Sequence, residues 1–245
     1  ILERAIAAHG WRDAYMGIGV FCVVTMLPMA MLLRRRPDTS PTTRGSQGAA
    51  GIIQTDVSPA TMQMSLVVAG LACCIAMSMP QVHIVAYCGD LGYGVARGAE
   101  MLSLMLGLGV VSRLASGFLA DRIGGVGTLI TGSVLQCLAL LFYIPFDGLM
   151  SLYVVSGLFG LAQGGIVPSY ALIVREYFPA REAGSRVSLV LMATVVGMAI
   201  GGWMSGEIYD LTGSYQAAFL NGIAFNLLNM AIAIWLLIGR MRPRL

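Results

Sequence analysis

Arg113 is a single charge inside the otherwise uncharged apolar run 101–120. An Arg at the centre of a membrane helix costs at least ~2.5 kcal/mol on insertion scales, so its guanidinium is expected to face a bundle interior or a wet cavity. Seven residues carry the chain from Arg113 to Ala120. They rise about 10 Å at 1.5 Å per residue, so snorkelling to the membrane edge, the alternative reading, is strained. A guanidinium in a cavity grips a carboxylate through two parallel hydrogen bonds, which predicts a small organic anion as cargo. His83 follows Pro80 by three residues and precedes Tyr87 by four, so His83 and Tyr87 share a helical face. Imidazole titrates near neutrality, which makes His83 the candidate proton carrier; a histidine hydrogen-bonded in helix packing is the plainer alternative. Gln163 and Asn226, like Gln81, Gln136, Asn221 and Asn229, are neutral polar groups in apolar runs. They either line a substrate path or bond across helices.

A second constellation lies in a short polar turn, Gly117-Phe118-Leu119-Ala120-Asp121-Arg122-Ile123-Gly124-Gly125, where the two final glycines permit a reversal. The Asp121 carboxylate is expected to meet the positive end of a helix opening near Ser185, as an inward-side latch. Arg122, Arg175, Glu176, Arg181 and Glu182 are expected to form an accompanying charge network, with an ordinary solvated loop as the alternative.

Other chemistries lack their residues. The sequence has no paired carboxylates inside apolar runs, no zinc-binding histidine pair and no serine elbow, so an enzyme is not expected. No cofactor is expected, and no metal, because the five cysteines show no two-plus-two spacing. Cys22, Cys73, Cys74 and Cys137 read as small packing residues, Cys88 sits at an outer edge, and no disulfide is predicted.

The elements that must position these residues follow from composition. Apolar residues make up 57% of the chain and charged ones 11%, with a mean hydropathy of +0.79, which argues against a water-soluble fold. Charges fall in short clusters between seven apolar runs, at 14–33, 62–87, 101–120, 128–146, 149–174, 187–206 and 217–239. Each is near the twenty residues needed to cross hydrocarbon, and in lipid such runs are helices. The expected fold is therefore an all-α polytopic membrane protein in the lipid bilayer.

All fifteen basic residues are Arg. Arg34, Arg35, Arg36, Arg44, Arg122, Arg175, Arg181, Arg186, Arg240, Arg242 and Arg244 fall on one side of the predicted topology, against Arg4, Arg12 and Arg97 on the other. The richer side is expected to be cytoplasmic, with the C-terminus there, in an inner or plasma membrane. The net charge of +3 then reflects orientation and needs no nucleic-acid partner.

Residues 34–60 are rich in Pro, Ser, Thr and Gly and read as a cytoplasmic linker. Residues 1–33 then comprise an external loop and one transmembrane helix, and 61–245 a six-helix bundle with a short tail. The chain opens at Ile1 without a Met or the regions of a signal peptide, as an internal cut would leave it. Gly197 with Gly201, Gly202 with Gly206, and Gly157, Gly160, Gly164 and Gly165 are expected to seat helices closely, and Pro168 to break its helix.

The turn at Gly117, Leu119, Asp121, Arg122 and Gly124 resembles the loop signature of the major facilitator superfamily, with Gly125 and Val126 in place of its closing basic residues. The resemblance extends over Gly10-Trp11-Arg12, Arg175-Glu176-Tyr177-Phe178-Pro179 and 209–215. It implies that the runs correspond to the sixth through twelfth helices, the C-terminal half of a major facilitator fold plus one preceding helix, with the N-terminal half missing. More narrowly, the stretch from His83 through Asp90 to Arg113 resembles the monocarboxylate and oxalate/formate carrier branch, whose eighth helix carries an Arg implicated in binding the substrate carboxylate. Gly109 replaces the acidic residue of animal carriers, and no Lys supplies a second cation for oxalate. The implied function is secondary transport of a small monocarboxylate by alternating access, with proton coupling or exchange. The alternative classes are a heptahelical receptor-like protein and a channel. A rhodopsin would need a Schiff-base Lys, and the sequence has none.

Overall fold

The computed structural model describes residues 6, 10–33 and 57–241. Residues 34–56 of the linker expected at 34–60, together with Arg4, Arg34, Arg35, Arg36, Arg44, Arg242, Arg244 and the Arg240 side chain, lie outside the described residues. The linker's last two residues already belong to the helix that opens at Pro59. The chain forms two units, 1–46 and 47–245. In the first, α1 (Trp11–Leu33) is a single helix of spanning length with Pro28 inside it. The second holds α2 (Pro59–Asp90), α3 (Val95–Phe142), α4 (Leu149–Gln163), α5 (Ile166–Tyr177), α6 (Ala180–Thr212) and α7 (Tyr215–Met241).

Each apolar run of the sequence falls mainly in this set, the run 128–146 passing four residues beyond the end of α3 at Phe142, but the helices divide differently. The 48 residues of α3 would stretch about 72 Å if straight, more than twice a bilayer core of ~30 Å. Instead α3 turns at Gly124, whose φ of 77° and ψ of 172° fall in a region that only glycine occupies without strain. Two runs therefore become the two arms of one helix. The run 149–174 is instead divided, because α4 stops at Gln163 and α5 starts at Ile166. The break falls at Gly164–Gly165, not at Pro168 as expected. Pro168 sits in the first turn of α5, where a missing N–H forfeits no helical bond.

Capping fixes the other boundaries. The Ser58 hydroxyl accepts from the Thr61 N–H at 3.1 Å and Pro59 opens α2. At the far end of α6 Gly213 takes a left-handed conformation, its N–H reaching the Tyr209 carbonyl at 2.7 Å.

Close approach of backbones holds the bundle together. A Cβ at Gly197 or Gly201 would overlap Leu71, Ile75 and Ser78 of α2, and one at Gly160 or Gly164 would overlap Met105 and Gly109 of α3. With lipid tails as apolar as the side chains, dispersion across such contacts replaces the hydrophobic drive of water-soluble bundles. Near one end, the ring of Tyr143 stacks on Phe219 at 4.9 Å, and Tyr87 meets Tyr215 and Phe219 edge-on at 4.8 and 5.8 Å. There the Asp90 carboxylate accepts from the hydroxyls of Tyr209 at 3.0 Å and Tyr215 at 2.9 Å, tying together the ends of α2, α6 and α7. Cys88, read as an edge residue, is fully buried because α2 continues to Asp90.

Candidate functional site

The residues that could bind an anion meet midway along the bundle, where the break after α4 faces the first arm of α3. Because Gly164 lets the backbones touch, Gln163 is brought against Gly109, its Nε2 3.9 Å from the position a Cβ there would take. Ser112 secures the contact by donating to the freed carbonyl of Leu161. Beside it opens a cavity of about 350 Å³ lined by Arg113, Gln81, Gln163, Gly109 and Gly164, with Met77, Val110, Val167 and Met198 as apolar wall.

Three polar side chains from three helices thus share one space. Gln81 Nε2 donates to Gln163 Oε1, which orients both amides. Arg113 is exposed in this unit and belongs to no ion pair among the described residues. A guanidinium carries five N–H donors and no acceptor, so this cavity can offer a planar anion two parallel donors, with amides alongside for a further polar group.

The remaining residues singled out from the sequence lie elsewhere. His83 Nε2 is 2.9 Å from the Gly202 carbonyl of α6; because a carbonyl only accepts, this nitrogen is the protonated one. Tyr87 is buried in the aromatic cluster, and Asn226 donates to the Ser133 carbonyl at 2.8 Å in the core. None of the three lines the Arg113 cavity.

At the Gly124 turn, Glu176 of α5 accepts from the Gly125 N–H at 2.7 Å, capping the second arm of α3. Gly117 faces open space, and Asp121, Arg122, Arg175 and Arg181 are exposed. The expected charge network is corrected in one respect: among the described residues, ion pairs join Arg97 to Glu100 and Glu182 to Arg186, and the latter guanidinium also covers the Phe178 ring at 4.1 Å. The helix expected to open near Ser185 opens at Ala180, five residues earlier, because Pro179 supplies its start. From the sequence Gln81 is left open between lining a path and bonding across helices, and the floor made by Gly109 and Gly164 is not assigned to a site. The available signal was the pairing of small residues on facing helices, whose partners sequence spacing alone does not specify.

Comparison with known proteins places these features. The profile of the Major Facilitator Superfamily matches residues 1–154 and 114–245. The chain is 29% identical over 160 residues to monocarboxylate transporter 13 of Rattus norvegicus, covering 64% of this chain and 37% of that protein. It is 32% identical over 143 residues to the 4-hydroxybenzoate transporter PcaK of Pseudomonas putida, covering 57% and 31%. Against probable anion transporter 5 of Arabidopsis thaliana it is 31% identical over 122 residues, covering 48% and 28%. The matched region thus amounts to between 28% and 37% of these relatives' length.

Proposed function

The chain belongs to the Major Facilitator Superfamily, and on that premise we propose that it forms one wall of a carrier for a small organic anion, most simply a monocarboxylate. The observation that carries this reading is the Arg113 guanidinium opening, with no acidic partner among the described residues, onto a cavity it shares with the Gln81–Gln163 amide pair. Arg113 is exposed in this unit, and a cation on the wall of a cavity within a membrane bundle calls for a partner of opposite charge, a role the cargo carboxylate fills. The relatives named for monocarboxylate, 4-hydroxybenzoate and anion transport support the anionic class.

Transport proceeds by rocking of two bundles about this midplane site, with residues 57–241 supplying one. The reading includes a second bundle that closes the cavity; the chain matches 37% of the length of the rat relative. Coupling is to protons or to a counter-anion. His83 is the candidate proton carrier; its Nε2 holds the Gly202 carbonyl of α6, so a change of its charge would be linked to helix packing. Gly117, Asp121, Arg122, Gly124, Arg175, Glu176 and Arg181 form the candidate hinge at the opposite end from Asp90.

The test is competition for uptake in proteoliposomes containing the complete protein. A monocarboxylate should compete at least tenfold better than its primary amide, and better than the dicarboxylate of equal length, because a single guanidinium answers one charge. Equal competition by acid and amide would remove the anion assignment.

A further inference from the structure

Among the groups lining the Arg113 cavity, the amide nitrogen of Gln163 has donors that no other described residue answers. Gln163 ends α4, and Gln81 of α2 donates from its Nε2 to Gln163 Oε1. Holding the oxygen of a planar amide also sets its nitrogen, because exchanging the two would break the bond. Gln163 Nε2 stands against Gly109 of α3, 3.9 Å from the position a Cβ there would take. Glycine has only hydrogen at that position, so the space before Nε2 stays clear.

Gln163 is 6% exposed, so its unanswered N–H groups are largely withheld from bulk water while facing the cavity. A donor in that position costs free energy that an acceptor on the cargo offsets. Arg113 follows Gly109 by four residues on the same face of α3, a rise of about 6 Å. A molecule gripped by its carboxylate at Arg113 therefore reaches Gln163 with an atom only a few bonds further on. An ammonium at that atom would share the cavity with the guanidinium and be repelled. A neutral oxygen accepts from Gln163 Nε2 without that conflict.

We propose that Gln163, held in place by Gln81, is the specificity-determining donor of this site. It selects short acids that carry a hydroxyl or oxo oxygen on C2 or C3 over unsubstituted acids of the same length. A site that answers such an oxygen with a buried donor discriminates against the analogue lacking it, because the donor is then left unpaired. Gln81 is a positioning residue, acting on the cargo through Gln163. The inference rests on the anion reading, since Arg113 fixes the carboxylate end.

The experiment is competition for uptake in proteoliposomes containing the complete protein, with butanoate, butanamide, 2-oxobutanoate, 2-hydroxybutanoate and 3-hydroxybutanoate as competitors. One added hydrogen bond predicts that the best oxygen-bearing acid competes about 3- to 10-fold better than butanoate. That ratio should fall to about one in Gln163→Leu, where the donor is gone, and shrink in Gln81→Leu, where the donor is no longer held. A ratio of two competitors on one protein does not depend on how much of the variant folds. An advantage absent from the wild type, or undiminished in Gln163→Leu, overturns the proposal; should Gln163→Leu give no uptake, an undiminished ratio in Gln81→Leu does so. The anion reading fails separately, when butanoate competes no better than butanamide.

Discussion

At the scale of single residues, the contrast between Arg113 and His83 organises the chemistry. Both are polar insertions in apolar helices, yet Arg113 opens on the cavity in no ion pair among the described residues, whereas His83 is already bonded to Gly202. In the proposed reading they separate binding from coupling. His83→Gln preserves a donor for the Gly202 carbonyl but cannot take a second proton. Its uptake should lose stimulation by an inward proton gradient while half-saturation changes less than about threefold, within ~0.7 kcal/mol. Unchanged pH dependence would leave His83 a packing residue. The sequence made Arg113 legible because one charge in twenty apolar residues is an energetic anomaly. It left Gln81 undistinguished because a neutral amide is costly only if unpaired, and its partner Gln163 lies 82 positions away.

At the scale of elements, glycine sets where helices touch and where they end. Gly164 lies against the Gly109 carbonyl, so Gly164→Ala forces apart the two helices that form the cavity floor, at a cost of about 1–3 kcal/mol for overpacking. Gly107 on the same arm faces open space, and Gly107→Ala should be neutral or slightly stabilising. Thermal unfolding in detergent reads the difference, and equal melting of the two variants would contradict the assigned packing. Gly124→Ala should cost a similar ~1–3 kcal/mol for a different reason, its positive φ. The apolar runs were visible because hydropathy is local and bilayer thickness fixes their length. Helix ends were not, since α2 runs on to Asp90 and α6 starts at Ala180 through polar residues that hydropathy ignores. The break at Gly164–Gly165 was misplaced to Pro168 for a related reason: a proline disrupts a helix interior but is harmless in a first turn. The Asp90–Tyr209–Tyr215 tie was hidden because it joins residues more than a hundred positions apart.

At the scale of the whole molecule, residues 57–241 form a bundle whose polar centre lies halfway between its ends. The Tyr-rich clamp on Asp90 closes one end, and the Gly124 turn, capped by Glu176, marks the other. Such a body can rock about a midplane site without losing its own packing, which is what alternating access requires of each half. The central claim is that Arg113 supplies the charge that holds the cargo. The measurement that tests it most directly is saturable monocarboxylate uptake by the complete protein in proteoliposomes, comparing wild type with Arg113→Lys and Arg113→Ala. A charge-assisted pair contributes about 1.5–3 kcal/mol, so Arg113→Ala should raise half-saturation about 10- to 100-fold. Arg113→Lys should recover only part of that, keeping the charge but losing the bidentate fork. Wild-type half-saturation in both variants would contradict the account.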